Sequence, residues 1–397
     1  MKKKILIVSH AMELGGAERS LIGLLEALCA ENHSVDLFLL RHEGELMDSI
    51  PKSVNLLPEI PAYTVLARPL KTVLREGHFL LSAARLTARF AAQRYANRHH
   101  FVESSVDLEY SHKFTAPLMP LIQKNTEYDL AISFLTPHYF VAQKVHAKKK
   151  IAWIHTDYSK VQVDVKSEEA MWNAYDYIAS ISDGVTESFL QAFPGLKKKI
   201  IQIQNILPSG LIRRQAEEKI DDLQIPEGCF CLLSVGRFCN AKNFDNVPEI
   251  CARILESGVD VRWYLIGFGT DEELIRRKIT EFHMEDRVII LGKKENPYPY
   301  MAACDLYVQP SRYEGHCVSV KEAQMLQKPV VITNYATAAS QMEDGVDGIV
   351  VPMNPESCAR GISELLKNPE RMEQLRRNCS ERDYSNGEQI LNLCRLF

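Results

Sequence analysis

Two carboxylates, Glu314 and Glu322, stand with seven residues between them in a stretch that changes character along its length. The apolar run from Asp305 to Val308, closed by Pro310, reads as a short buried strand ending in a loop. After Gly315 the spacing turns helical, with Val318, Met325 and Leu326 on one face and Glu322 between them. A carboxylate on an apolar stripe is costly unless something hydrogen-bonds it. Glu314 falls just before the helix N-terminus, where N–H groups without an intrahelical acceptor and the helix dipole favour an anion. Two acceptors flanking an anion site suit a nucleoside diphosphate sugar: sugar hydroxyls for the carboxylates, phosphate for the N–H groups.

Positive charge for a diphosphate is supplied upstream. Phe230–Val235 reads as a strand, and Gly236-Arg237-Phe238 with Lys242 four residues later follows its carboxyl end. Arginine offers a planar fork and lysine a mobile point charge. Near the N-terminus, the apolar run Ile5–Ser9 leads through a loop to Gly15-Gly16 and a helix carrying Leu21, Leu24, Leu25 and Leu28. Such a helix start can hold a phosphate, with Gly16 allowing close approach. It is not Gly-x-Gly-x-x-Gly, so a dinucleotide cofactor is not indicated. His155 closes the strand Ile151–His155, at the end of a parallel sheet where ligands bind.

The string Pro310-Ser311-Arg312-Tyr313-Glu314-Gly315, continued to Glu322, is similar to the Glu-x7-Glu motif of retaining glycosyltransferases of family four, which have the GT-B fold. The Gly236-Arg237-x4-Lys242 pattern resembles that family's diphosphate-binding pair, and Gly15-Gly16 its donor-diphosphate contact. The resemblance implies that Arg237 and Lys242 stabilise charge on the leaving diphosphate, that Glu314 contacts the transferred sugar, and that Glu322 accepts from ribose hydroxyls. His155 matches a histidine that reaches the donor sugar. Lys294 lies in the loop after Val288–Leu291 that runs past the nucleobase. Gly315, His316, Cys317 and Val318 complete the donor-binding stretch, although His316-Cys317 replaces the more usual Phe-Gly, so sugar contacts there differ. His155, Arg237, Lys242 and Glu314 form the implied catalytic set. No Asp-x-Asp occurs, Asp107-Leu108-Glu109 being the nearest approach, and nothing in the sequence requires a metal. The expected donor is a UDP- or GDP-sugar and the acceptor a glycan or lipid-linked molecule. A sugar-nucleotide epimerase of the same fold and a catalytically silent nucleotide-sugar-binding subunit are the alternatives.

The elements that position these residues alternate strand and helix, the pattern of doubly wound parallel sheets. The chain of 397 residues suits two domains. Residues 1–205 form the expected acceptor domain, 206–228 a linker, and 229–397 the sugar-nucleotide domain, two Rossmann-like halves facing a cleft. An apolar fraction of 46% and a charged fraction of 25% are ordinary for a globular protein, and the net charge of −4 argues against bulk nucleic-acid binding. Ten cysteines without a Cys-x2-Cys pair read as reduced thiols of a cytosolic protein, and the short run after Lys2–Lys4 is too brief for a signal peptide.

An insertion over about 62–126 breaks the alternation. Residues 68–98 hold seven basic residues (Arg68, Lys71, Arg75, Arg85, Arg89, Arg94, Arg98) and one acid, Glu76. On a helical wheel Leu80, Leu81, Ala84, Ala88, Ala91 and Tyr95 share one side, with Arg85 and Arg89 beside them. That stretch suits either an anionic membrane surface, making the protein peripheral on the inner face of the cell membrane, or a hairpin packed on its own domain.

Overall fold

The computed structural model describes residues 2–13, 15–101, 104–159, 161–314 and 317–397. Gly315 and His316, both expected at the donor, lie outside the described residues. The chain divides into two units, Met1–Pro208 with Asn386–Phe397, and Ser209–Ser385.

The first unit holds strands β1 (Lys4–Ser9), β2 (Ser34–Leu39), β3 (Asn55–Leu56), β4 (Tyr128–Ser133), β5 (Ala147–Ile154), β6 (Tyr177–Ser180) and β7 (Ile200–Gln202). They form one parallel sheet in the order β3-β2-β1-β4-β5-β6-β7. Ile5, Leu6, Ile7 and Val8 are buried because helices cover both faces, which is why β1 reads as a continuous apolar run rather than an alternating one. The order reverses direction at β1 and β4, and parallel sheets of this kind open a crevice at that switch point. The residues leaving β1, β2 and β4 there are His10-Ala11, Leu40-Arg41 and Phe134-Leu135.

Helices Phe79–His99 and Val106–Thr115 of the insertion pack on one another through Ala88, Ala92, Val106 and Tyr110. Tyr110 donates to Asp164 at 2.7 Å, and Ser167 donates to the buried Glu109 at 2.6 Å, fastening the second helix to the domain. The buried seam of the first helix is Leu81, Ser82, Ala88 and Ala92. Leu80, expected on that seam, is 74% exposed, as are Phe79 (66%) and Phe90 (72%). Arg85 turns inward and donates to the carbonyls of Arg68 and Val65, and Arg68 itself pairs with Glu76 at 2.7 Å. Two of the seven basic residues are therefore committed inside the insertion.

The second unit repeats the architecture with β8 (Phe230–Val235), β9 (Val261–Ile266), β10 (Val288–Gly292), β11 (Leu306–Gln309), β12 (Val330–Thr333) and β13 (Ile349–Val351), again all parallel, in the order β10-β9-β8-β11-β12-β13.

Both ends of the expected second domain shift. The linker reading of 206–228 gives way at Ser209, because 209–216 is a helix and the segment is held to the second unit. Asn296 donates to the Gln215 carbonyl at 2.8 Å and Tyr300 to Asp222 at 2.6 Å. At the other end, 386–397 belongs to the first unit rather than to the expected 229–397 domain. Its short helix Gln389–Cys394 buries Ile390 and Leu393, and Asn386 donates to the Asn205 carbonyl at 3.1 Å. Two apolar side chains at i and i+3 on a polar tail give that segment a face to bury, and the nearest apolar partner decides which unit takes it.

Candidate active site

In the second unit, the carboxyl ends of β8 and β11 stand side by side, since the two strands pair. The loop after β8 carries Arg237 and ends in the 3-10 turn Asn240–Lys242; the loop after β11 carries Ser311 to Glu314. The two loops are riveted together. Arg312 makes a two-pronged ion pair with Asp245 at 2.8 and 2.7 Å, and its backbone N–H donates to the Ala241 carbonyl at 2.8 Å. Asn243, in the left-handed region at φ 60°, donates to the Pro310 carbonyl at 2.8 Å.

This brings Lys242 and Glu314 into contact across 72 residues of sequence: Nζ donates to Oε1 at 2.6 Å. Ser311 donates to the same oxygen at 2.6 Å. The aliphatic part of Lys242 lies over Gly236, where an added Cβ would sit 3.1 Å from Cε. Burial pulls the Lys242 pKa down, but the opposing charges of Cys317 and Glu314 and the bond to Glu314 outweigh it, and the group stands above an ordinary lysine. Burial also pushes the Cys317 thiol up, so at neutral pH it is protonated and Glu314 is the working counter-charge. Arg237 is exposed, and among the described residues no ion pair involves it.

Helix Val318–Met325 starts beside this pair. Gln341 brackets Cys317, accepting from its N–H at 2.8 Å and donating to its carbonyl at 3.1 Å. Thr337 donates to the Glu314 carbonyl at 2.8 Å. Val318 is half-buried at the first helical position. Glu322, one turn on, is buried and accepts from the Tyr298 hydroxyl at 2.7 Å, which is how the apolar stripe tolerates a carboxylate. Lys294 pairs with Asp222 at 2.5 Å in the same unit.

The remaining expected site residues are in the first unit. Gly15 caps helix Gly16–Ala30, and Glu18 folds back over it so closely that a Cβ on Gly15 would lie 2.1 Å from the Glu18 carboxylate; Gly16 has open space. The helix terminus thus carries a carboxylate of its own, in the manner of a capping box. His155 follows β5 and packs on Phe134, with ring centroids 4.5 Å apart. Burial lowers its pKa to about 4, so the ring is neutral at physiological pH, and its Nε2 has no partner among the described residues. Ser311, Thr337, Gln341 and Tyr298 are the supporting residues that sequence reasoning missed. Ser311 lies within the recognised string; Gln341, 24 residues beyond Cys317, leaves no local signal.

Residues 215–382 match the model of the family "Glycosyl transferases group 1". Across 49% of its length the chain is 27% identical to the N-acetylgalactosamine-N,N'-diacetylbacillosaminyl-diphospho-undecaprenol 4-alpha-N-acetylgalactosaminyltransferase of Campylobacter jejuni, covering 51% of that protein. Across 43% it is 27% identical to the lipopolysaccharide core biosynthesis glycosyltransferase LpsE of Rhizobium meliloti, covering 49% of it. The chain thus spans about half the length of these curated relatives. Over all of both chains it resembles the Anabaena protein HepE, solved in complex with UDP and glucose, with a TM-score of 0.61 at 17% identity. The two parallel sheets and this likeness give the chain the GT-B fold expected from its motifs.

Proposed function

We propose that the protein transfers a hexosyl unit from a nucleoside diphosphate sugar to a glycan or lipid-linked acceptor in cell-surface polysaccharide synthesis, with retention of anomeric configuration. The observation that carries this reading is the Lys242–Glu314 contact at 2.6 Å, held between two strand ends at a helix N-terminus. A lysine ammonium has three donors. One engages Glu314 and the others can serve a diphosphate, while Glu314 is held by Ser311 against the sugar. Arg237, exposed on the neighbouring loop, adds a second cation for the leaving group. Charge stabilisation comes from these side chains, and the reading calls for no metal. Lys294 serves the base edge of the nucleotide beside its pairing with Asp222.

The test is incubation with UDP-glucose and other sugar nucleotides, with and without glycan and undecaprenyl-linked acceptors. Acceptor-dependent release of the nucleoside diphosphate with an α-linked product from an α-donor is expected. Isomerisation of the donor without acceptor would make the protein an epimerase, and binding without turnover a silent subunit.

The two glutamates should separate in kinetics. Glu322→Gln is expected mainly to raise the donor dissociation constant, because ribose contacts are equal in ground and transition states. Glu314→Gln is expected mainly to lower turnover. Steady-state parameters with the roles exchanged would reverse the assignment.

We also propose that the insertion brings the protein to an anionic bilayer. Phe79, Leu86 and Phe90 are exposed at i, i+7 and i+11 of one helix, with Leu74 and Leu80 exposed nearby. Lys71, Arg75, Arg89, Arg94 and Arg98 are exposed around them. Each basic residue contributes on the order of 1 kcal/mol at such a surface. No helix among the described residues is long and apolar enough to cross a membrane. Sedimentation with phosphatidylserine vesicles but not phosphatidylcholine vesicles is expected, weakening at high salt as screening grows. Replacing Arg75, Arg89 and Arg94 with Gln, or Phe79 and Phe90 with Ser, should abolish it. Wild type that ignores anionic vesicles at low salt would return the insertion to a packed hairpin.

A further inference from the structure

The first unit contains a cavity of about 280 Å³ at its β1/β4 switch point. That is just under the size range of small-ligand pockets, roughly 300–1,000 Å³. Its wall is drawn from the residues following β1, β2 and β4, from the start of helix Gly16–Ala30, and from the insertion. The insertion supplies Tyr63, Leu66, Leu108 and His112, so it does more than cover the sheet.

Two features show that this space is built for a polar ligand. His112 lines it while only 2% exposed, and its Nδ1 has no hydrogen-bond partner among the described residues. A buried ring nitrogen left unpaired costs free energy that a ligand hydroxyl would recover. The charged lining is also one-sided: Glu13, Glu18 and Glu43 against Arg41, which is itself paired with Glu43. His10 and His112 do not offset the acids. Burial lowers the pKa of His10 to about 4 and that of His112 well below the usual value, so both rings are neutral at pH 7. The rest of the wall is largely leucine, suited to the C–H face of a ring.

We propose that this cavity binds one sugar ring bearing hydroxyl or ammonium groups, and that its acidic lining rejects rings carrying phosphate or carboxylate. Calling that ring the terminal unit of the acceptor rests on the transferase reading above; the cavity's charge selectivity does not. Hydroxyls donate to the carboxylates and accept from or donate to His112, and an ammonium gains the field of the net negative lining. Anionic rings meet like charge in a partly closed space, a repulsive element that sets specificity.

The test uses the full chain without donor and ligand-observed NMR titrations of four probes: glucosamine, glucose, glucose 6-phosphate and glucuronate. Glucosamine is expected to bind best and the two anionic probes about tenfold or more weaker. Glu13→Gln with Glu43→Gln should erase that preference. Leu108→Trp, at a position 49% exposed on the rim, should block all four without unfolding the chain, as checked by circular dichroism. No binding of glucosamine or glucose by wild type, tighter binding of an anionic probe, or unchanged binding in Leu108→Trp would each overturn the proposal. Turnover assayed on the same preparation keeps the two readings apart. Selective ring binding without transfer sinks the transferase and keeps the cavity, whereas transfer with no selective ring binding does the reverse.

Discussion

Lys242→Ala is expected to lower turnover at saturating donor by about two to three orders of magnitude, the loss typical of removing one preorganised charge from a developing anion. Donor affinity should fall less, because the leaving diphosphate is more demanding of positive charge than the bound one. The structure adds a second expectation. Lys242 and Glu314 have side-chain exposures of 18% and 11%, so the alanine variant leaves a largely buried carboxylate with Ser311 as its recorded donor. That loss should destabilise the second unit by about 1–3 kcal/mol, visible as a lower melting temperature. Because the two residues touch, the Lys242→Ala/Glu314→Gln double variant should lose less activity than the product of the single losses. Lys242→Arg should rescue poorly, since the stem lies against Gly236 and a planar guanidinium cannot follow the same path to the Glu314 oxygen. Unchanged turnover at saturating donor in Lys242→Ala would remove the residue from the mechanism.

Central strands such as β1, β8 and β11 are legible in the sequence, because parallel strands buried on both faces are unbroken apolar runs bounded by glycine, proline or charge. The site's placement at strand ends follows from the same periodicity. Contacts made by single side chains over long separations were not legible. The Lys242–Glu314 contact spans 72 residues, and Gln341 reaches Cys317 across 24, with no local pattern to signal either. The insertion shows a different limit. A wheel drawn for 68–98 finds one apolar side, but alanine-lined packing on helix Val106–Thr115 takes Ala88 and Ala92 inward and leaves Phe79, Leu80 and Phe90 outside. Small residues allow close helix approach, so the bulkier apolar ones were left on the outer face. The tail misled for a related reason. Ile390 and Leu393 mark a face to bury but cannot say which of two domains receives it.

Gly267→Ala should be among the most damaging single-methyl changes in the second unit. Three strand ends are laced together there. The Gly236 N–H donates to the Ile266 carbonyl at 2.9 Å, Phe238 to Phe268 at 2.8 Å, and Gly267 to Gly292 at 3.0 Å. Gly267 has φ +153°, and a Cβ on it would lie 1.8 Å from the Gly236 carbonyl oxygen and 3.0 Å from the Phe238 ring. Backbone on both sides of the clash cannot swing away like a side-chain tip. The Gly236 carbonyl must move, and with it Arg237 and the surface on which Lys242 lies. A loss of about 2–5 kcal/mol is expected, about 1–3 kcal/mol from overpacking and about 1–2 kcal/mol from an L-residue at positive φ, together with weaker donor binding in the molecules that still fold. Gly258→Ala is the control. It also has positive φ, at +82°, but nothing lies within 4 Å of its Cβ, so it should cost only the conformational strain of about 1–2 kcal/mol. Urea denaturation of the two variants separates the causes. Equal losses would mean that backbone conformation alone accounts for both, and that the Gly236 carbonyl has room to yield.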